Sequence, residues 1–446
     1  IAWKADFKRN PWAKKYYSLL KELVKNASEY IVATDYDIEG EVIGWNIVRF
    51  LAKQKDAKRM KFSTLTKQEL EDSYEKVEKT INWGHAVAGE TRHFLDWMYG
   101  INLSRALMSA IKKAGSFRIM SVGRVQGPSL NLIVKKELEI QKFKPEPYFQ
   151  IFIKLKGHEA ILKYEKDITK KHELGKFQDL SGKSGHASTE KISRSIIPPA
   201  PFDLTSLQRE AYRLHNINPA RALQIAQNLY LAGLISYPRT SSQKIPDSIN
   251  PKAILKKLSS LFKEVSLASR VRPVEGRKSD PAHPSIYPTG DFSSLRAEDE
   301  KIYNLIAKRF ISCFCEDAQI EDKRIIFLTS KSEDFDSHQK SDSKKISETE
   351  DNLKFKASGL EIKKKGWMAV YPMAMKEVEI EDIEGKKEIE SSKIEEKMTQ
   401  PPRRYTPASI ITELEKRNLG TKATRANIVE TLYNRNYVKE QSILAT

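Results

Sequence analysis

Cysteine is nearly absent: Cys313 and Cys315 are the only two in 446 residues, one position apart. They make neither a disulfide framework nor a Cys-x-x-Cys zinc pair, so a reduced, cytoplasmic setting is expected with both thiols buried as small hydrophobes. Long apolar runs are missing too. No stretch approaches the roughly 20 apolar residues of a spanning helix, and no juxtamembrane polybasic block is present, so no membrane partner is expected. No signal peptide opens the chain. It starts abruptly at Ile1-Ala-Trp and stops at Leu444-Ala-Thr446 without a cap, which reads as truncation.

What is abundant is positive charge. There are 77 Lys and Arg against 59 Asp and Glu, a net charge of +18. Such an excess on a folded chain points to a polyanionic partner, most simply nucleic acid. A chain of this length exceeds one hydrophobic core, so several domains are expected.

Residues 29–51 read as strand, loop and helix. Tyr30-Ile-Val-Ala33 suits a buried parallel strand, and Ile43, Ile47 and Phe50 repeat at helical spacing as the apolar face. Asp35, Asp37 and Glu39 stand between them, where open α/β sheets place ligands. Acids this close repel, and a divalent cation with oxygen ligands relieves that. A solvated acidic turn is the alternative. An EF-hand is excluded, since its twelfth position would be Asn46 and a strand leads in.

Arg59-Met-Lys-Phe-Ser-Thr-Leu-Thr66 reads as a second strand, with Arg59 beside the sheet. Mostly helical text follows to about Gln141, carrying Glu90, Arg92, Asp96 and Trp97. Ser121-Val-Gly-Arg124-Val-Gln126 then opens a helix with Pro128 in its first turn and Leu130, Val134 and Leu138 as its buried stripe. From Pro145 to Ile197 the pattern alternates, as in Phe149 to Leu155, and a similar register returns over Ile320 to Met398. Between them lies a helical block, which suggests an all-β region split by an insertion. Thr205-x-x-Gln208 reads as a capping box. Pro219 opens a helix with Ala222, Ile225 and Leu229 on one face, and Gly233 ends it.

A short strand after that helix would deliver Tyr237-Pro-Arg239. In extended backbone residues i and i+2 share a face, so a phenol and a guanidinium could address one phosphate. A core tyrosine beside a surface arginine fits the same residues. His283 and Thr289 sit in a Pro-stiffened loop. Ser330 to Asp351, rich in Ser, Lys and acids, reads as an unstructured insertion. Near the end, a helix over Tyr405 to Glu415 precedes Gly420-Thr421-Lys-Ala-Thr-Arg425, whose hydroxyls and cations suit a phosphate.

Five ordered motifs together resemble the type IA DNA topoisomerases, closest to the archaeal topoisomerase I form. They are Thr34 to Glu41, Ser121 to Gln126, Gly233 to Thr240, Ala282 to Thr289 and Gly420 to Arg425. The resemblance implies a multidomain α/β plus α plus β fold around a toroidal hole. Its parts would be a Toprim α/β domain (1–84), a helical domain (85–144 and 400–446), a β-rich hinge (145–197 and 320–399) and a winged-helix-like domain (198–319). It implies Tyr237 as nucleophile, with Arg239 and His283 meeting the charge on phosphorus and Mg²⁺ on Asp35, Asp37 and Glu39. Arg59, Arg92, Arg124, Gln126, Thr289, Thr421 and Arg425 would contact DNA.

The implied activity is ATP-independent breakage, passage and rejoining of one strand through a 5′-phosphotyrosine. The protein would be a nucleoid-associated monomer acting on single-stranded or underwound DNA. The family's first Toprim strand, with a glutamate and a lysine, would precede residue 1, and the usual C-terminal tail is not within this sequence. The topoisomerase half of reverse gyrase and a catalytically impaired single-strand-binding fragment remain as alternatives. A Toprim nuclease or primase also remains, but it leaves the Tyr237 motif unexplained.

Overall fold

A computed structural model describes residues 11–329, 352–373, 375–440 and 442–445. Helix α1 (Pro11–Leu23) leads to strand β1 (Ile31–Val32), helix α2 (Ile38–Phe50) and strand β2 (Lys58–Arg59). The strands pair in parallel, Ile31 opposite Lys58, with α2 as the crossover. A Cβ on Gly44 would lie 2.3 Å from Val32 Cγ1, so only glycine lets α2 rest on β1. That contact sets the buried face, which is Glu41, Val42, Gly44 and Val48. The expected stripe of Ile43, Ile47 and Phe50 is therefore wrong: Ile43 and Phe50 are 55% and 51% exposed.

Helices α3 (Lys67–Glu75), α4 (Trp83–Lys113) and α5 (Gln126–Lys142) follow. On α5 the buried positions are Ser129, Ile133 and Glu137, rotated from the expected Leu130, Val134 and Leu138. The rotation has two causes. Ile133 packs with Ile410, Leu414 and Val429 near the C-terminus, and Glu137 receives Arg404 Nε and Nη2 at 2.8 and 2.9 Å.

Strands β3 (Pro147–Leu155), β4 (Ile161–Tyr164) and β5 (Ser184–Ile196) come next, then helices α6 (Leu204–His215), α7 (Pro219–Leu231), α8 (Pro251–Leu258) and α9 (Ala297–Ser312). After them run β6 (Ala318–Thr329), β7 (Lys354–Lys364) and β8 (Gly385–Met398). Strands from both sides of the helical block close one barrel in the order β3-β4-β7-β6-β5-β8. Phe149, Ile151, Ile153 and Leu155 alternate inward, as the period-two pattern requires. Ile196 pairs with Ala318, so the block leaves and re-enters the barrel at adjacent positions. Residues 330–351, expected as an unstructured insertion, lie outside the described residues.

Asp203 caps α6: its carboxylate accepts from Ser206 N at 2.7 Å, and Ser206 Oγ accepts from Asp203 N at 3.0 Å. The capping box thus starts two residues before the expected Thr205, which is already helical and buried. Helix α7 follows expectation, with Pro219 in its first turn, Ala222, Ile225 and Leu229 buried, and Gly233 at φ +73° just beyond it. Both cysteines are free and buried. Helices α10 (Pro407–Lys416) and α11 (Arg425–Asn434) pack back on α5, followed by the pair β9 (Val438–Lys439) and β10 (Leu444–Ala445). Among the described residues no helix is long and apolar enough to cross a membrane.

Candidate active site

The acidic loop between β1 and α2 is held by backbone geometry. Asp37 is the N-cap of α2, and its Oδ1 accepts from Gly40 N at 2.8 Å. A Cβ on Gly40 would sit 2.1 Å from Asp35 O, so the loop can fold this tightly only on glycine. Arg59, which the resemblance implied as a DNA contact, is turned into the protein. It is 0% exposed, with Nε on Glu41 Oε2 at 2.8 Å. Its other nitrogens donate to the carbonyls of Val32, Thr34, Met60 and Asp35. A planar fork surrounded by carbonyls ties the loop to the sheet.

The three acids diverge. Asp35 Oδ1 accepts from Tyr230 OH at 3.3 Å. Burial and the nearby Asp37 charge raise the Asp35 pKa, while Arg239 opposes them. Glu39 turns to Arg92 Nη1 at 2.7 Å and His93 Nε2 at 2.9 Å. Among the described residues no three acids, histidines or cysteines converge as a metal cage. The expected trio is therefore a pair plus one acid held elsewhere by Arg92 and His93.

Tyr237 reaches this loop from an irregular segment, not from the expected strand; its only ladder feature is a bridge from Ile235 to Pro288. Its N–H donates to Ser63 O at 2.7 Å and its hydroxyl to Asp37 Oδ2 at 2.6 Å. The ring meets Tyr230 edge-on at 5.2 Å and His283 at 4.6 Å. Tyr237 is 1% exposed. Burial, then the Asp37 carboxylate, push its pKa up, with Arg239 pulling the other way. The resting phenol is protonated.

His283 contacts Ser63 Oγ through Nδ1 and Tyr36 O through Nε2, both at 2.9 Å. A carbonyl only accepts, so Nε2 carries the hydrogen and Nδ1 accepts from the serine. Burial brings the pKa down to about 4, so the ring is neutral. In this state it is not the second cation expected at phosphorus. Thr289 is also inward: its hydroxyl donates to Gly233 O at 2.8 Å, bracing the turn before Tyr237. Arg425 is buried as well, with Nε on Leu419 O at 3.1 Å.

Arg92, Arg124, Gln126 and Thr421 come together on one cleft of about 630 Å³ between α4, the start of α5 and the Gly420 loop. Arg124 Nε pairs with Asp96 at 2.9 Å, and Gln126 Oε1 accepts from Arg435 at 2.6 Å. Sequence reasoning missed Tyr36, Ser63, Tyr230 and Asp280. Tyr36 and Asp280 stand within or beside quoted motifs and could have been found there. Nothing local marks Ser63 or Tyr230, because their roles arise from contacts with distant segments.

A βαβ unit with an acidic loop, a barrel built from both sides of an insertion, and a helical block presenting a tyrosine to that loop are the parts that meet here. Comparison with known proteins gives the family. Residues 80–446 match the family described as DNA topoisomerase, and residues 9–65 match the Toprim domain. The chain belongs to the DNA topoisomerase family. It is 42% identical to DNA topoisomerase 1 of Pyrococcus horikoshii, over 98% of this chain and 64% of that protein. It is 41% identical to DNA topoisomerase 1 of Methanocaldococcus jannaschii, over 98% of this chain and 56% of that protein. The chain thus spans less than two thirds of these relatives' length. The structure of full-length topoisomerase I from Thermotoga maritima superimposes with a TM-score of 0.76 at 26% identity, over 97% of this chain and 71% of that one. The mixed helix-and-sheet fold class is the one expected.

Proposed function

We propose that this chain is the strand-cleaving core of a type IA DNA topoisomerase that relaxes negative supercoils without ATP. The observation that carries the reading is the hydrogen bond from Tyr237 OH to Asp37 at 2.6 Å. It joins a phenol to an acid whose orientation the α2 N-terminus fixes. Tyr237 Oη attacks a backbone phosphorus and its proton passes to Asp37. The P–O3′ bond breaks, the leaving oxygen takes a proton from water to become a free 3′-hydroxyl, and Asp37 returns its proton to the solvent. The strand stays attached as a 5′-phosphotyrosine, a second strand passes, and the reverse attack reseals the break. Arg239 meets the charge on phosphorus. His283 positions the tyrosine ring as a neutral group, and Arg92, Arg124, Gln126 and Thr421 bind the single strand.

Asp35 and Asp37 suit a divalent cation: both are carboxylates, and burial together with the neighbouring Asp37 charge raises the Asp35 pKa. Glu39 joins them only by leaving Arg92 and His93. Bound there, Mg²⁺ would neutralise charge beside the phosphate. Admission of DNA requires the acidic loop to part from Tyr237. The bonds to break are few: Tyr237 to Ser63 and Asp37, Tyr230 to Asp35, and His283 to Ser63 and Tyr36. The protein acts as a monomer on underwound DNA.

The test is to mix the protein with end-labelled single-stranded DNA and denature. A covalent adduct is expected from the wild type and none from Tyr237→Phe. An adduct surviving that change removes Tyr237 from the role.

A further inference from the structure

A second cleft, of about 620 Å³, opens between α7, Arg239 and α11. Its wall carries five amide side chains, two guanidinium groups and one carboxylate, with only Ala220 and Leu223 as apolar members. Such a lining does not suit an apolar ligand. It offers hydrogen bonds in both directions with little net charge.

Two atoms in this wall are buried without a partner, Arg239 Nε and Gln227 Oε1. Native proteins rarely leave buried donors and acceptors unpaired, and the exceptions call for a reason such as a missing ligand. The other guanidinium is already engaged: Arg221 Nε pairs with Glu298 at 2.8 Å and Nη1 with Gln224 Oε1 at 2.9 Å. Arg239 therefore holds an open N–H, and it lies close enough to Asp35 and Tyr237 to act on both carboxylate and phenol. Arg239 lines this cleft two positions after Tyr237 in the chain.

We propose that this cleft is a nucleotide subsite flanking the scissile phosphate. Arg239 Nε holds a backbone phosphate oxygen, and the Gln227 amide, with Asn228 beside it, reads the edge of one unpaired base. The proposal rests on the strand-cleaving function above. An amide presents a donor and an acceptor side by side in one plane, which is what bidentate pairing with a base edge needs. The base must be unpaired, because only then is its edge free to enter a side cleft. Asn427 on α11 closes the far wall, so the base would bridge the tyrosine-bearing block and the C-terminal helices.

An abasic scan tests this. A single-stranded oligonucleotide with one cleavage site is made with an abasic residue at each flanking position in turn, and adduct yield is measured. Wild type should lose about tenfold at one position, the scale of a bidentate base contact. Gln227→Leu should lose a similar factor on the intact strand and become indifferent to the abasic residue at that position alone. Asn228→Ala, at an exposed helical site, gives the same readout if Gln227→Leu fails to fold. Superimposable scans for wild type and variants overturn the subsite. If wild type forms no adduct at all, the strand-cleaving reading fails instead. Anisotropy binding of the same abasic set, against the same variants, then decides the subsite by itself.

Discussion

Tyr237 and Asp37 stand 200 positions apart, yet the phenol donates to the Asp37 carboxylate at 2.6 Å. The other oxygen of that carboxylate caps α2 at 2.8 Å. One acid thus serves a helix terminus and a hydroxyl together. The cap bond fixes the direction of the carboxylate, which aims its second oxygen at the phenol. Burial keeps the phenol's proton in place while the contact is closed. The site is assembled but shut.

Asp37→Asn separates the two duties. Asparagine caps a helix as well as aspartate does, so thermal stability should change little. An amide does not take up a proton, so the rate of adduct formation should fall by about a hundredfold or more. Single-turnover mixing with excess enzyme measures it. An unchanged rate would assign the proton elsewhere.

His283 gives the closed contact a pH dependence. Its pKa falls from 6.5 to about 4 on burial, so the folded state holds the proton less tightly than the unfolded one. Its stabilising effect is complete above about pH 6.5 and is lost as pH drops from there towards 4. The loss is on the order of 3 kcal/mol. Asp280 draws the pKa upward and Lys422 downward, but burial outweighs both. Urea midpoints between pH 8 and 4.5 should decline for wild type and flatten for His283→Gln. Parallel declines in the two proteins would shift the effect to other groups.

How far the chain could be read without coordinates depends on the range of the interaction. The barrel strand Phe149 to Leu155 was legible because alternation is a local signal of one buried face. Helix α7 was legible from Pro219, its apolar spacing and Gly233. The face of α2 was not, since a close fit of Gly44 against Val32 overrides the stripe that hydrophobicity suggests. Among candidate site residues, Arg92, Arg124, Gln126 and Thr421 do share a cleft. Arg59, Thr289 and Arg425 point inward, and nothing in their neighbours separates a cation that binds carbonyls from one that binds phosphates. Glu39 likewise follows distant Arg92 and His93, not the two acids beside it.

That distinction between inward and outward arginines is measurable. Arg59→Lys keeps a charge for Glu41 but drops most of the bonds to backbone carbonyls around it. It should cost roughly 2–4 kcal/mol of stability, seen as a lower urea midpoint. Single-strand affinity should change little once the protein is folded. Arg124→Ala, exposed on the cleft, should do the reverse: unchanged stability, weaker binding, and a salt slope of log K reduced by about 0.7. A salt-slope change in Arg59→Lys would contradict its buried placement.

Asp280 and Lys422 join the tyrosine-bearing block to the C-terminal helices. The Asp280 side chain is 3% exposed and pairs with Lys422 Nζ. It also accepts from Ser241 N at 3.0 Å, Ser241 Oγ at 2.9 Å and Ala282 N at 3.0 Å. Burial would raise its pKa, but Lys422 and those N–H groups outweigh that and hold it at about 2. The folded pKa is depressed, so this stabilisation is present above about pH 4 and disappears only as pH falls through 2. Lys278 adds a parallel tie, to Glu415 at 2.7 Å and Asp203 at 3.1 Å. Lys422→Met would leave a buried anion with donors but no cation, at about 3 kcal/mol. Asp280→Asn in that background removes the charge and keeps a hydrogen-bonding group, so it should recover part of the loss. Urea unfolding of wild type, both single variants and the double variant gives the coupling. Additive losses in the double variant would mean that the two side chains do not act as a pair.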